Sequence, residues 1–195
     1  MRDSLDNKTL SLFPDEAHPA PYVPPPPWAT FSKCWKWRYA LGRRWEEGKS
    51  ALFIMLNPSV ADADKDDPTI RRCISFARGW GYGALEVVNL FAWRATDPKE
   101  LRRWPKEVIE GQENEMHVKE AAARADLIIC AWGDQPRQYH PEQVERMMSW
   151  LPADRFLYCL KLTQKFAQPQ HPLYLSAGTA PLLFREPPKK AEEAL

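Results

Sequence analysis

Four short, almost unbroken apolar runs constrain the fold more than any other feature: Ala51–Leu56 (ALFIML), Leu85–Leu90 (LEVVNL), Asp126–Trp132 (DLIICAW) and Arg155–Leu160 (RFLYCL). Each has the length of a strand, and none alternates with polar residues as a strand with one wet face does. Continuous apolarity is the mark of strands covered on both faces, as in a parallel sheet flanked by helices. The intervening stretches supply such helices, with amphipathic patterns over Pro68–Trp80, Pro105–Arg124 and Pro141–Trp150. Strand and helix alternate throughout. The expected fold is therefore α/β, a three-layer α/β/α sandwich with a largely parallel central sheet of about four strands.

In such a sheet ligands bind beyond the carboxyl ends of the strands, so the residues at strand exits are the first candidates for chemistry. The first run ends in Asn57-Pro58-Ser59, the second at Asn89, the third at Trp132-Gly133. The fourth is followed by a polar loop that reaches His171-Pro172-Leu173-Tyr174. Between the first two runs, Asp67 is a natural N-cap, Pro68 suits the first helical position, and Ile70, Cys73, Ile74 and Ala77 form an apolar stripe. Arg71 and Arg72 stand one turn from that helix N-terminus, where free backbone N–H groups favour an anion. They are read either as phosphate or carboxylate ligands or as partners of Asp62, Asp64, Asp66 and Asp67 in the preceding loop.

The same acidic loop resembles a calcium loop in its alternation but departs from it at two places. Residue 67 is Asp where the turn needs Gly, and residue 73 is Cys where a bidentate Glu would close the shell. No metal and no cofactor is implied. The four cysteines, Cys34, Cys73, Cys130 and Cys159, lack the close spacing of a structural zinc site and read as reduced thiols.

From Trp28 to Trp45 aromatic and basic residues alternate, which predicts a strand burying Trp35, Trp37, Tyr39 and Leu41 and exposing Lys36, Arg38, Arg43 and Arg44. That basic face is either a solvated edge or a phosphate-contacting rim. The 27 basic and 26 acidic side chains nearly cancel, so net charge does not argue for or against nucleic acid. No run is long and apolar enough for a membrane span, and no signal core stands at the N-terminus, so a cytoplasmic location is expected.

Composition divides the chain into a disordered Pro-rich arm over 1–27, one α/β domain over 28–185 and a flexible tail over 186–195. Within the arm, Leu10, Leu12 and Phe13 lie in Thr-Leu-Ser-Leu-Phe, which is similar to the Gln-Leu-Ser/Asp-Leu-Phe peptide that binds the bacterial sliding clamp, without its Gln. The resemblance implies the clamp as a partner. The alternative is an apolar island packed back on the domain.

The run MLNPSVADADKDDPTIRRCISFARGWGYGALEVVNLFAWRATDP, with the later ADLIICAWG and QHPLYL, closely resembles the bacterial and phage family known as domain of unknown function 1643. A second resemblance is to the uracil-DNA glycosylase superfamily. It rests on four short matches in order: Met55-Leu56-Asn57-Pro58, Val87-Val88-Asn89, Trp132-Gly133 and His171-Pro172-Leu173-Tyr174. It implies a uracil-DNA-glycosylase-like fold and hydrolysis of an N-glycosidic bond in DNA. Asn57 would then position water, Asn89 would read a base edge, His171 would donate to the leaving base, and Leu173 or Tyr174 would wedge into the base stack. Pro58, Ser59, Trp132 and Gly133 would complete the pocket. The sequence departs from that pattern at Met55, where the motif has Gly, and at Leu173-Tyr174, where it has Ser-Pro. It also lacks an aromatic about a dozen residues after Asn57. Two alternatives stand beside this reading: a non-catalytic DNA- or nucleotide-binding module, and a hydrolase or transferase of free nucleotides.

Overall fold

The structure, a computed structural model, describes residues 22–188. The clamp-type segment with Leu10, Leu12 and Phe13 lies outside the described residues. Among those described, seven strands form one mixed sheet in the order β1-β2-β4-β3-β5-β6-β7. They are β1 (Trp28–Phe31), β2 (Arg38–Arg44), β3 (Ser50–Met55), β4 (Ala84–Asn89), β5 (Leu127–Cys130), β6 (Leu157–Cys159) and β7 (Leu182–Arg185). No helix among the described residues is long and apolar enough to cross a membrane.

The four apolar runs become β3, β4, β5 and β6. These are mutually parallel, with β3 paired to β4 on one side and to β5 on the other, and β5 paired to β6. The expectation of a largely parallel sheet of about four strands is corrected at its margins, because β1, β2 and β7 are added antiparallel. Only β1 and β2 are joined by a short turn; β2–β4 and β6–β7 pair strands distant in the chain, and no local pattern announces such a pairing. The Trp28–Trp45 segment, expected as one strand, doubles back on itself through residues 32–37 to give β1 and β2. Trp35 takes a left-handed conformation in that turn, with φ +62°. Strand β7 is a short, half-exposed edge whose apolar run is only Leu182–Phe184.

Side chains alternate across β3 into two separate cores. Ala51, Phe53 and Met55 meet α1 (Pro68–Gly79) through Ile70, Cys73, Phe76 and Ala77. Leu52, Ile54 and Leu56 meet α3 (Asn114–Arg124) and α5 (Pro141–Trp150) through Val118, Ala121, Val144 and Met147. Helices thus cover both faces, and both buried faces explain why the strands read as continuous apolar runs. The expected helix over 105–124 is divided into α2 (Lys106–Glu110) and α3 at Gly111, whose φ of +84° favours glycine. A short α4 (Gln135–Tyr139) precedes α5.

Strand β2 is not the half-exposed strand that its alternation suggests. It lies inside the sheet, and the register between β1 and β2 shifts where Thr30 pairs with Ala40 but Phe31 pairs with Arg38. A bulge at Tyr39 results, and it changes which face each neighbour serves. Tyr39 stacks on His117 of α3 and Ala40 enters the α3/α5 core, whereas Leu41 enters the α1 core. Arg38 and Arg43, expected on the surface, are 1% and 9% exposed.

The order of the parallel strands has one further consequence. After β3 the chain passes through α1 to β4 on one side, while β5 lies on the other. Connections leaving β3 and β5 therefore diverge and open a crevice at their carboxyl ends. The core assignment is checked by truncation: Ile54→Ala should lower unfolding free energy by about 2–5 kcal/mol. Met116→Ala on the exposed face of α3 should stay within about 0.5 kcal/mol. Denaturant unfolding of both variants measures the difference.

Candidate functional site at the strand carboxyl ends

The crevice holds a cleft of about 530 Å³. Its lining draws on the β3 exit (Asn57, Ser59), the β5 exit (Trp132, Gly133) and the loop beyond β6 (His171, Leu173, Tyr174). Seven residues singled out from sequence thus reach one cavity, although they are spread over more than a hundred positions of the chain.

Asn57 is fixed by its own amide. Its Nδ2 donates to the carbonyls of Pro58, at 3.0 Å, and Ala95, at 2.8 Å. Both donors are spent on the loop, which leaves Oδ1 as an acceptor. Pro58 is buried and serves as scaffold, its carbonyl also accepting from Ala95 N at 2.9 Å. Gly133 has φ +74° and no atom within 4 Å of where a Cβ would stand, so backbone faces open space there. Its N–H donates to Pro169 O at 2.7 Å, tying the β5 exit to the loop that carries His171. Trp132 lies under the same loop, 1% exposed, with its indole N–H donating to Gln168 Oε1 at 3.1 Å.

His171 begins a 3-10 turn over Pro172–Tyr174, and its Nδ1 accepts from Leu173 N at 3.4 Å. A ring nitrogen that accepts carries no proton, so the neutral imidazole holds its hydrogen on Nε2. Burial lowers the His171 pKa below its ordinary value, opposed by the negative charge of Asp67. The ring is a neutral donor at neutral pH. Tyr174, 87% exposed, stands at the rim.

Besides Pro58, which does not line the cleft, three residues expected at the site are placed elsewhere. Asn89 is fully buried and does not line the cleft. It pairs in register with Met55 on the α1 face of the sheet, and neither polar atom of its side chain has a partner among the described residues. Met55, which replaces the motif glycine, occupies the cleft wall in its stead. Arg71 and Arg72 also miss the cleft. Arg71 Nη1 donates to Asp66 O at 2.6 Å, and Arg72 donates to Leu175 O while its guanidinium lies over the Phe76 ring.

Thr69 and Thr96, which the sequence does not single out, also line the cleft, as do Asp134 and Gln135 beyond the β5 exit, Arg38, read as part of a solvated edge or a phosphate-contacting rim, and Asp67, read as a helix cap and a partner for Arg71 and Arg72. Asp67 is indeed the cap, accepting from Ile70 N at 2.8 Å through Oδ1. It is also 9% exposed and faces the cleft. The rest of the acidic loop is structural. Asp62 Oδ1 accepts from the backbone of Asp64 and Lys65, and Arg43 pairs with Asp66 at 2.9 Å while donating to Asp62 O at 2.6 Å. No cluster of three or more metal-ligating side chains occurs among the described residues.

Burial of His171 gives a pH signature. The unfolded chain takes up a proton near the ordinary value of 6.5, while the folded cleft resists it. The contribution of His171 to stability is therefore full above that pH and is lost as pH falls below it. Urea unfolding at about pH 7.5 and about pH 5.5 should show a smaller acid-side loss for His171→Gln than for the native chain. An equal loss in both would mean that His171 titrates as an exposed imidazole.

Residues 38–173 match the family described as "Protein of unknown function (DUF1643)". The matched span runs from the start of β2 into the 3-10 turn after His171, and it holds every lining residue of the cleft except Tyr174. No curated protein and no solved structure matches the chain. With more than half of its length covered by that match, the chain belongs to the DUF1643 family of proteins of unknown function.

Proposed function

We propose that the protein hydrolyses the N-glycosidic bond of a nucleobase presented to the cleft from a DNA strand. The observation that carries this reading is the convergence, in one cleft at the ends of parallel strands, of an acceptor-only carboxamide at Asn57 and a donor-only imidazole face at His171. Base excision needs that pair of groups. A water must be held near C1′, and negative charge must be met as it develops on the departing base. The order of the four motifs resembles that of uracil-DNA glycosylases and supports the same assignment.

In this reaction Asn57 Oδ1 accepts a hydrogen bond from the water and orients its lone pair. The C1′–N bond breaks with its electrons remaining on the base, and His171 Nε2–H donates to a base oxygen without giving up its proton. The water oxygen then bonds to C1′, and the proton that it loses neutralises the departed base. An amide cannot act as a general base, so Asn57 works by position alone. Tyr174, exposed at the rim, is suited to occupy the space that an extruded base leaves in the stack.

Holding a free nucleotide's phosphate with Arg71 and Arg72 gains no support, since both donate to backbone carbonyls outside the cleft. A non-catalytic DNA-binding module uses the same cleft without the chemistry and differs only in outcome.

The test is incubation with oligonucleotides carrying uracil, hydroxymethyluracil, mispairs or modified bases, followed by alkaline scission of abasic sites. At least one substrate should be cut, and His171→Ala and Asn57→Ala should each slow it by roughly 10²–10³-fold. Duplex binding without scission of any substrate would establish the binding module instead. Activity surviving both substitutions would remove the site assignment.

A further inference from the structure

Resting on the reading that the cleft receives a nucleobase, we infer that Arg38 and Asp67 together recognise a lactam edge, –NH–C(=O)–, with Arg38 donating to the oxygen and Asp67 accepting from the adjacent N–H. The substrate class is then an oxo-pyrimidine or 6-oxopurine.

Both side chains line the cleft and both are more than nine-tenths buried, at 1% and 9% exposure. Each is held from behind by a single bond. Arg38 Nη1 donates to Ala61 O at 2.8 Å, and Asp67 Oδ1 accepts from Ile70 N at 2.8 Å. The other polar atoms are uncommitted: among the described residues neither Arg38 Nη2 nor Asp67 Oδ2 makes a hydrogen bond, and Arg38 Nε is buried without a partner. The two groups sense each other's charge, since Asp67 opposes the burial that brings Arg38 down to about 10. Yet they form no ion pair with one another. A buried guanidinium with most of its donors unpaired is costly to the folded protein unless a ligand completes it.

The charges decide what that ligand is. A phosphate would satisfy Arg38 but bring its negative charge into the same cavity as the Asp67 carboxylate. A carbonyl alone would leave Asp67 without a donor. A neutral edge that offers an oxygen and a neighbouring N–H satisfies both, and the apolar surfaces of Leu56, Ile70 and Trp132 suit the flat ring behind it. Met55 and the buried Asn89 lie on the same sheet face and leave base reading to these two residues.

Binding of nucleosides, measured by calorimetry or ligand-observed NMR on the full chain, tests the pairing apart from any cleavage. Deoxyuridine and deoxyinosine should bind, while 3-methyldeoxyuridine and 1-methyldeoxyinosine, which lack the N–H, should bind roughly tenfold or more weakly. Inorganic phosphate should not compete. Asp67→Asn retains a good helix cap but loses the charged acceptor, and should narrow the gap between parent and methylated nucleosides. Arg38→Met should weaken both. If that variant does not fold, the methylation comparison on the native chain decides alone. Equal binding of methylated and parent nucleosides, or competition by phosphate, overturns the inference. Lactam-selective binding with no excision of any base upholds it while refuting the hydrolase reading. Excision that is indifferent to N-methylation does the reverse.

Discussion

Everything at the site depends on the confinement of β3. It is paired in parallel on both edges and packed against helices on both faces, so every residue from Ala51 to Ile54 is wholly excluded from water. A strand so enclosed can present polar groups only where it ends. Asn57 stands two residues beyond that end, where the ladder is continued by Leu90 N to Met55 O and Phe91 N to Leu56 O, at 2.8 and 3.0 Å. The polar atoms there are held by a framework that cannot shift without breaking the core. Preorganisation of this kind is what binding and catalysis require of a positioning group.

Around that end, charge is sorted by depth. Arg43 is spent on structure, pinning the acidic loop through Asp62 O and the Asp66 carboxylate. Farther along the same strand, Arg38 is buried without an ion pair and faces the cleft. The two arginines came from one sequence pattern and were read together as surface residues. The bulge at Tyr39 brings Arg38 onto the α1 face beside Arg43 instead of the face taken by Ala40, and their fates differ because Arg43 meets the acidic loop while Arg38 meets the cleft. A one-residue irregularity therefore places a cation at the floor of the cleft.

What could be read from sequence follows the strength of the physical signal. The four parallel strands and three of the helices were legible because double-sided burial leaves continuous apolar runs and a helix face leaves a 3.6-residue stripe. The Asp67-Pro68 cap was legible because its chemistry is local. Strand β7 was not, since a four-residue edge with exposed Leu182 and Leu183 has no pattern to distinguish it. Nor was the true orientation of Asn89. A polar residue at a strand end can face the crevice or the sheet interior, and register alone decides between them. Asn57, Gly133 and His171 share one cleft because the exits of parallel strands and the loops beyond them meet at one edge by topology, whereas Arg38 depends on a bulge that no spacing announces.

The proposed function requires that this edge of the sheet receive an extruded base. It is tested most directly by a crystal structure of the protein with an oligonucleotide whose target nucleotide carries a 2′-fluoro group that resists cleavage. The base should lie in the cleft, within hydrogen-bonding distance of His171 Nε2, with C1′ turned toward Asn57 Oδ1. Nucleic acid bound along another face, with all its bases stacked and none in the cleft, would contradict it.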